Sequence, residues 1–163
     1  MSNFPTELTR EFREICETQG FREAYDFVRS HPAAGTAEGI YLTGSFGPKG
    51  EPREAREDRL LKSAQTAAEM GYIPAIFDLG MRYLFGDWVE IDETRAAECF
   101  KIGTDAGDPA SMYEYGLALK HGKGVDQNRK EARYWIDKAA ELGDETAQEY
   151  VAVHGPAPEP EEE

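Results

Sequence analysis

The sequence predicts an all-α fold, an α/α solenoid in which antiparallel helix pairs stack one on another. Its clearest sign is a set of glycines that recur every 36 residues. They fall into three series: Gly35, Gly71, Gly107 and Gly143; Gly44, Gly80 and Gly116; and Gly50, Gly86 and Gly122. A period of this length accommodates two helices of about three to four turns with two short turns, the repeating unit of an α-solenoid.

An apolar stripe with helical spacing recurs in the same register and marks the second helix of each unit. Its positions are i, i+3, i+4, i+7 and i+8, the pattern of a buried helix face. The residues are Leu60, Ser63, Ala64, Ala67 and Ala68, then Ala96, Cys99, Phe100, Gly103 and Thr104, then Ala132, Trp135, Ile136, Ala139 and Ala140. In the first helices, Gly80 and Gly116 are predicted to let one helix lie directly against another, since glycine inside a helix otherwise costs about 1 kcal/mol.

Residues 1–153 are predicted to form a single domain with repeats at about 35–70, 71–106 and 107–142. A divergent helix pair, residues 6–31, precedes them, and its stripe residues Ala24, Phe27 and Val28 fit the register. Residues 144–153 are expected to form the capping helix that a solenoid needs at its end. Residues 154–163 contain three prolines and four glutamates but no large apolar side chain, so we expect a disordered acidic tail there.

The turns of the later units carry recognisable end signals. Gly86 and Gly122 stand where a first helix ends, a position that often needs a left-handed backbone. Asp92 and Asn128 are predicted to cap the N-termini of the second helices, and Asn128 with Glu131 resembles a capping box.

The best-formed unit has a set of residues that identifies a family. They are Gly107, Tyr115, Gly116, Gly122, Gly124, Val125, Asn128, Ala132, Trp135 and the run 138–143, Lys-Ala-Ala-Glu-Leu-Gly. This unit resembles the Sel-one-like repeat (SLR), a relative of the tetratricopeptide repeat. The resemblance covers two full units over residues 71–143, is weaker over 35–71 and fades before residue 31. It implies a right-handed superhelix that acts as an adaptor or scaffold for another protein, without catalytic residues.

Two units depart from the pattern. Trp88 stands where Gly124 stands one unit later, so a large aromatic residue occupies a loop position that usually takes a small one. In the unit after Gly35, the N-cap slot holds Arg56 rather than Asp or Asn. The first helix of that unit is expected to be broken by Gly39, Gly44 and Gly47.

Net charge argues against two classes of partner. The chain has 32 acidic and 18 basic residues, a net charge of −14, which repels nucleic acid and anionic lipid. Our first interpretation of this acidity is that it keeps a repeat protein soluble. It would also speed the encounter with a basic protein. No apolar run approaches the roughly 18 residues of a membrane span, and the N-terminus lacks the features of a secretory signal, so we expect a cytoplasmic protein without membrane contact. Cys16 and Cys99 lie in helical packing positions, which predicts buried free thiols.

The sequence gives little support for catalysis or for a cofactor. The segments 47–50 and 122–124 lack the strand, the glycine spacing and the Ser or Thr of a phosphate-binding loop. His31, His121 and His154 are isolated in the sequence, so no metal site is predicted. Acidic pairs such as Glu11 with Glu14 fall on solvated helix faces. We therefore expect no enzyme activity, no metal and no cofactor.

The partner surface is predicted from the repeat register. If Ala75, Leu79, Gly80 and Tyr83 pack on neighbouring helices, the remaining positions of that helix point into the groove of the solenoid. These are Asp78, Arg82 and Phe85, with equivalents Leu42, Phe46 and Lys49 one unit earlier and Glu114, Ala118 and His121 one unit later. Aromatic area for a protein interface comes from Tyr41, Phe46 and Trp88. The predicted partner-binding residues are Tyr41, Leu42, Phe46, Asp78, Arg82, Phe85, Trp88 and Glu114.

Two functions fit these features. The leading hypothesis is an adaptor of the bacterial type, a monomer on its own that holds a partner protein in its groove or against its inter-helix loops. The alternative is an immunity or antitoxin protein that neutralises a basic toxin through complementary charge.

Overall fold

The computed structural model describes residues 6–47 and 50–155, and within these ranges it contains nine α-helices and no strand. The prediction of an all-α solenoid is confirmed. The helices are α1 (Glu7–Thr18), α2 (Phe21–Ser30), α3 (Ala37–Gly44), α4 (Arg53–Glu69), α5 (Ile73–Phe85), α6 (Glu93–Asp105), α7 (Pro109–His121), α8 (Arg129–Glu141) and α9 (Glu145–His154). A single 3₁₀ turn, Pro32–Gly35, joins α2 to α3. No helix in these ranges is long and apolar enough to cross a bilayer.

Each helix packs mainly against its neighbours in the sequence, so the core extends along the array from one helix pair to the next. One cluster joins α6, α7 and α8 through Phe100, Tyr115 and Leu119. A second cluster joins α7, α8 and α9 through Met112 and Ala147. The α9 helix thus covers the apolar side of α8 at the end of the described array.

The helical glycines Gly80 and Gly116 are sites of close helix approach. A Cβ atom at Gly80 would lie 2.7 Å from Cε1 of Phe100, and one at Gly116 would lie 2.7 Å from Cγ1 of Ile136. Phe100 and Ile136 occupy the same register position and are almost fully buried. The packing gained by this approach offsets the helix-propensity cost of glycine.

The inter-helix turns of the last two repeats have the predicted ends. Gly86 and Gly122 close α5 and α7 in the left-handed conformation, at φ 76° and 69°. Asp92 and Asn128 cap α6 and α8 through side-chain oxygens. The capping box is incomplete, because the backbone N–H of Asn128 donates to the Leu119 carbonyl instead of to Glu131. The Glu131 carboxylate accepts from the side-chain amide of Asn128, at 3.0 Å.

Two expectations for the first repeat need correction. The first helix was expected to be broken by Gly39, Gly44 and Gly47. It does end early, at Gly44, but it runs through Gly39, whose lack of a side chain lets the helix pack directly against the backbone of Ala33 and Ala34. The α4 helix begins at Arg53, four residues before the register of α6 and α8, so its N-cap is Pro52 and Arg56 lies inside the helix.

The cysteines are free, and each is half-buried instead of fully buried. Desolvation by burial raises the pKa of the Cys16 and Cys99 thiols, with the nearby carboxylates of Glu17 and Glu98 adding to the effect. A raised thiol pKa keeps the thiolate population low at neutral pH, which fits a packing role.

Candidate protein-interaction surface

Four of the predicted partner-binding residues, from α3, α5 and the loop after α5, lie near one another. Arg82 forms an ion pair with Asp78 one helical turn earlier, at 2.9 Å. The guanidinium group of Arg82 also lies 4.2 Å from the centre of the Trp88 ring, in cation–π geometry. Asp78 and Arg82 act electrostatically on Tyr41 of α3, which places these four side chains together.

Tyr41 is a half-buried polar member of this group. Burial raises the pKa of its phenol to about 12, and the negative charge of Asp78 adds to the shift. Its ring packs against Tyr72, with 5.6 Å between ring centres. Tyr41 therefore remains a neutral hydroxyl throughout the physiological pH range.

Trp88 has an unusual backbone conformation. Its φ is 64°, in the left-handed region, and it is the non-glycine residue with positive φ in the described ranges. Gly124, its equivalent one unit later, has φ 68°. The left-handed conformation costs an L-residue about 1–2 kcal/mol, so the loop geometry is that of a glycine position and Trp88 adopts it under strain.

The end of α5 and the loop that follows it expose large apolar side chains. Phe85 is 62% exposed, Trp88 40% and Ile91 66%. Phe85 and Trp88 were predicted from the sequence, but Ile91 was not. The repeat register could have revealed it, because Ile91 stands where the next unit has the polar residue Gln127. The equivalent residues in the loop between α7 and α8 are His121, Gly124 and Gln127. We call Phe85, Trp88 and Ile91 the apolar loop.

Other predicted residues lie elsewhere. Phe46 packs against Phe12, Tyr25 and Phe21, with ring centres 5.6, 5.5 and 6.2 Å away, so it contributes to the junction with the first helix pair. Sequence reasoning placed it in the groove because the register was extended past the end of α3 at Gly44. Leu42 is half-buried on α3. Lys49 lies outside the described residues.

Glu114 lies in a cleft of about 240 Å³ between α6 and α7, which we call the α6–α7 cleft. Its carboxylate is half-buried, and desolvation raises its pKa, with a further contribution from the charge of Asp144. The lining combines six apolar residues with four polar or charged ones. It consists of Leu84, Glu93, Ala96, Ala97, Phe100, Glu114, Leu117, Ala118, His121 and Lys123.

The equivalent cleft one unit later is smaller and of opposite charge. It has a volume of about 150 Å³ and lies between α8 and α9, and we call it the α8–α9 cleft. Lys120, Arg129 and Arg133 line it together with Tyr150. The Lys120 ammonium donates a hydrogen bond to the Tyr150 hydroxyl, at 2.7 Å. Glu93 and Glu114 of the α6–α7 cleft are thereby replaced by Arg129 and Tyr150.

In the described part of the chain, no group of three or more His, Cys, Asp or Glu side chains is arranged to hold a metal ion. The chemistry that the surface does offer is recognition: exposed aromatic and aliphatic area, an arginine–carboxylate pair, and clefts of defined charge.

Comparison with known families identifies the repeat. The model of the Sel1 repeat matches residues 73–108 and 109–144. The chain therefore contains two Sel1 repeats. The matched segments coincide with the helix pairs α5–α6 and α7–α8, and the Sel-one-like identification made from the sequence is confirmed. Sel1 repeats are generally protein–protein interaction modules without catalytic function.

Two curated relatives of the chain are rodent proteins. The chain is 34% identical over 105 residues to the DAP3-binding cell death enhancer 1 of Rattus norvegicus and 32% identical to that of Mus musculus. In each case the match covers 64% of this chain and 20% of the relative. The chain thus spans about a fifth of the length of these relatives.

Solved structures of Sel1 repeat proteins share the architecture. A Sel1 repeat protein from Oxalobacter formigenes is 27% identical, with a TM-score of 0.68 over 78% of this chain and 96% of the other. The cysteine-rich protein B of Helicobacter pylori is 19% identical, with a TM-score of 0.57 over 89% and 97% of the two chains. A protective antigen of uropathogenic Escherichia coli with an SLR fold is 22% identical, with a TM-score of 0.70 over 91% and 33%. The last two likenesses show the fold alone.

Proposed function

We propose that this protein is a non-catalytic adaptor or scaffold that acts as a cytoplasmic monomer and binds a partner protein. The binding surface consists of the apolar loop together with Tyr41, Asp78 and Arg82. The observation that carries this proposal is the exposure of Phe85, Trp88 and Ile91 in one loop, at positions where the next repeat has polar residues or glycine.

The energetics of the apolar loop favour a binding role. The fold leaves most of the surface of Phe85 and Ile91 exposed to water. Trp88 contacts Arg82 but bears the strain of a left-handed backbone. Strained residues concentrate at functional sites, where the gain appears on binding. The loop also combines an aromatic anchor with Arg82 beneath it, and tryptophan and arginine are enriched among the residues that dominate interface energies.

The relatives support the same class of function. The name of the rat protein states that it binds DAP3, which agrees with a protein-binding role for a Sel1 repeat array. Because the match covers a fifth of that protein, the partner of this chain is identified here only by the surface that it must fit: a protein with an apolar patch to cover Phe85, Trp88 and Ile91.

A photo-crosslinking experiment tests this surface. A benzoylphenylalanine residue is placed at Trp88 in one variant and at Tyr134 in a control variant. Tyr134 is also an exposed aromatic residue, 58% exposed, but it lies on α8. Irradiation in lysate of the source cells should give one dominant protein adduct from position 88 and none of the same mass from position 134. Equal adducts from the two positions, or none from position 88, would contradict the proposed surface.

The net charge favours a second candidate, an inhibitor of the immunity type that neutralises a basic toxin. A charge of −14 would accelerate the encounter with a basic partner, and such steering weakens as salt screens the field. Stopped-flow association of the crosslinked partner at 50 mM and 500 mM salt separates the candidates. A basic toxin requires an association rate that falls at least about tenfold, whereas an apolar adaptor contact requires a nearly constant rate.

A further inference from the structure

The repeat register pairs two carboxylates that have different surroundings. Asp78 of α5 and Glu114 of α7 occupy equivalent positions, 36 residues apart. Asp78 is paired at 2.9 Å with Arg82, whose side chain is only 13% exposed. One unit later the residue equivalent to Arg82 is Ala118. The carboxylate is kept in the second unit, but the arginine that neutralises it in the first unit is absent.

The missing arginine leaves both space and unbalanced charge. Ala118 lines the α6–α7 cleft of about 240 Å³, next to Leu117, Phe100 and Glu114. Within residues 6–47 and 50–155, Glu114 has no hydrogen-bond or ion-pair partner. A half-buried carboxylate without a cation is unfavourable, because burial removes part of its hydration.

The other charged groups around the cleft do not neutralise Glu114. Lys123 lines the cleft, and its ammonium group lies 4.0 Å from the Glu93 carboxylate. His121 also lines the cleft and is exposed. Asp144, at the start of α9, adds negative charge and raises the pKa of Glu114 further. The cleft therefore combines apolar lining residues with net negative character near Glu114.

We propose that the α6–α7 cleft receives an arginine side chain of the partner protein, with Glu114 as its counter-ion. The aliphatic stem would lie on Phe100, Leu117 and Ala97, and the guanidinium group would reach the carboxylate as Arg82 reaches Asp78 within the preceding unit. Arginine suits this site because its planar fork pairs with a carboxylate and its charge is weakly hydrated.

This inference rests on the proposed function and adds the chemistry of the partner. The cleft adjoins the apolar loop, since Leu84 directly precedes Phe85 and Glu93 directly follows the cap Asp92. A partner seated on the loop would thus present an arginine next to its apolar patch. The α8–α9 cleft, which has Arg129 and Arg133 in its lining, should reject the same side chain.

The probe for the experiment is n-propylguanidinium, an arginine side-chain analogue, and the matched neutral control is n-propylurea. Both are titrated into the protein while methyl and amide NMR signals are recorded. We expect saturable shifts at Ala97, Leu117 and Ala118 with the guanidinium, with an apparent Kd on the order of a millimolar, as is usual for so small a ligand. The urea should cause less than about a fifth of these shifts. Ala132 and Ile136 of the α8–α9 cleft serve as the internal control and should not respond.

Two variants sharpen the test. Glu114→Gln should weaken n-propylguanidinium binding at least about fivefold while the rest of the NMR spectrum stays native. Ala118→Arg supplies the cation from within, as Arg82 does in the preceding unit, and should abolish the binding. Equal responses to guanidinium and urea, equal shifts in the two clefts, or full binding by Glu114→Gln would each overturn the proposal.

The outcome is independent of the crosslinking experiment at Trp88. If n-propylguanidinium binds in the α6–α7 cleft but position 88 gives no crosslink, the apolar loop is refuted as the partner surface. The cleft then still stands as an arginine-binding site. A crosslink at position 88 without guanidinium binding would keep the proposed function and refute the arginine site.

Discussion

The loop from Gly86 to Asp92 and the loop from Gly122 to Asn128 follow the same backbone path with different side chains. Each opens with a left-handed glycine, at φ 76° and 69°. In each, the cap residue donates its backbone N–H to a carbonyl of the preceding helix at 2.9 Å, Asp92 to Tyr83 and Asn128 to Leu119. Their third residues, Trp88 and Gly124, also share a left-handed conformation.

The two loops differ in their exposed side chains, and the difference shows that the turn does not need apolar residues. The second loop shows that the turn closes with small and polar residues, so the fold does not require exposed apolar side chains there. The first loop accepts backbone strain at Trp88 and exposes Phe85 and Ile91. These three side chains lower the stability of the fold and are not needed to close the turn, so a role in binding explains them best.

Of the positions in the two loops, Gly124 has the strongest requirement for glycine. A Cβ atom there would collide with the backbone carbonyl of Glu93, and the residue would also have to adopt positive φ. We expect Gly124→Ala to lower the free energy of unfolding by about 2–4 kcal/mol, the sum of left-handed strain and a backbone shift. This change in the free energy of unfolding is measured by urea titration, with circular dichroism as the signal.

Gly143→Ala is the matched control for this prediction. Gly143 has φ 95° but open space around its Cα, so its substitution carries strain alone, about 1–2 kcal/mol. If Gly124→Ala cost no more than Gly143→Ala, the second loop would not be fixed by its contact with α6.

The equivalent carboxylates should respond to substitution with opposite signs. Asp78→Asn removes the partner of the largely buried Arg82 and should cost about 1–2 kcal/mol of stability. Glu114→Gln should raise stability at pH 7, because burial and Asp144 disfavour the ionised form. Chemical unfolding of both variants at pH 7 gives the comparison.

The pH dependence follows from the direction of the Glu114 shift. Its pKa in the folded protein is raised above the ordinary value of 4.5, so the folded state binds the proton more tightly than the unfolded state. The penalty of ionised Glu114 is present above the folded pKa and is lost as pH falls below 4.5. The advantage of Glu114→Gln should accordingly vanish in acid, and an advantage independent of pH would contradict an electrostatic cause.

The smallest effect concerns the strain at Trp88. Asparagine tolerates the left-handed conformation and a β-branched residue does not, so Trp88→Val should be about 1 kcal/mol less stable than Trp88→Asn. Both variants lose the contact with Arg82, which cancels in the difference. Equal unfolding midpoints would show that the backbone at this position relaxes without cost.

The structural features that recur from one repeat to the next could be predicted from the sequence. The glycine period and the alanine-rich stripe predicted the helix pairs, the caps at Asp92 and Asn128 and the left-handed ends at Gly86 and Gly122. These features depend on local propensities and on a register that neighbouring units share. The resemblance to the Sel-one-like repeat added the family.

Features of a unit that departs from the common repeat register could not be predicted by counting from the other units. Phe46 was placed in the groove by counting from Arg82, but α3 ends at Gly44 and the chain turns Phe46 towards Phe12. The early start of α4 at Arg53 likewise breaks the register. The α6–α7 cleft, which Ala118 helps to line, has a volume that becomes apparent only when the packed helices are seen.

The central claim is that the apolar loop binds the partner while the fold does not need it. The variant Phe85→His, Trp88→Gly, Ile91→Gln gives the first loop the side chains of the second. Its affinity for the crosslinked partner, measured by calorimetry beside the unfolding midpoint, is the most direct test. We predict an affinity at least about 100-fold lower, corresponding to roughly 3 kcal/mol, with a native circular dichroism spectrum and a cooperative unfolding transition. Wild-type affinity in this folded variant would contradict the claim.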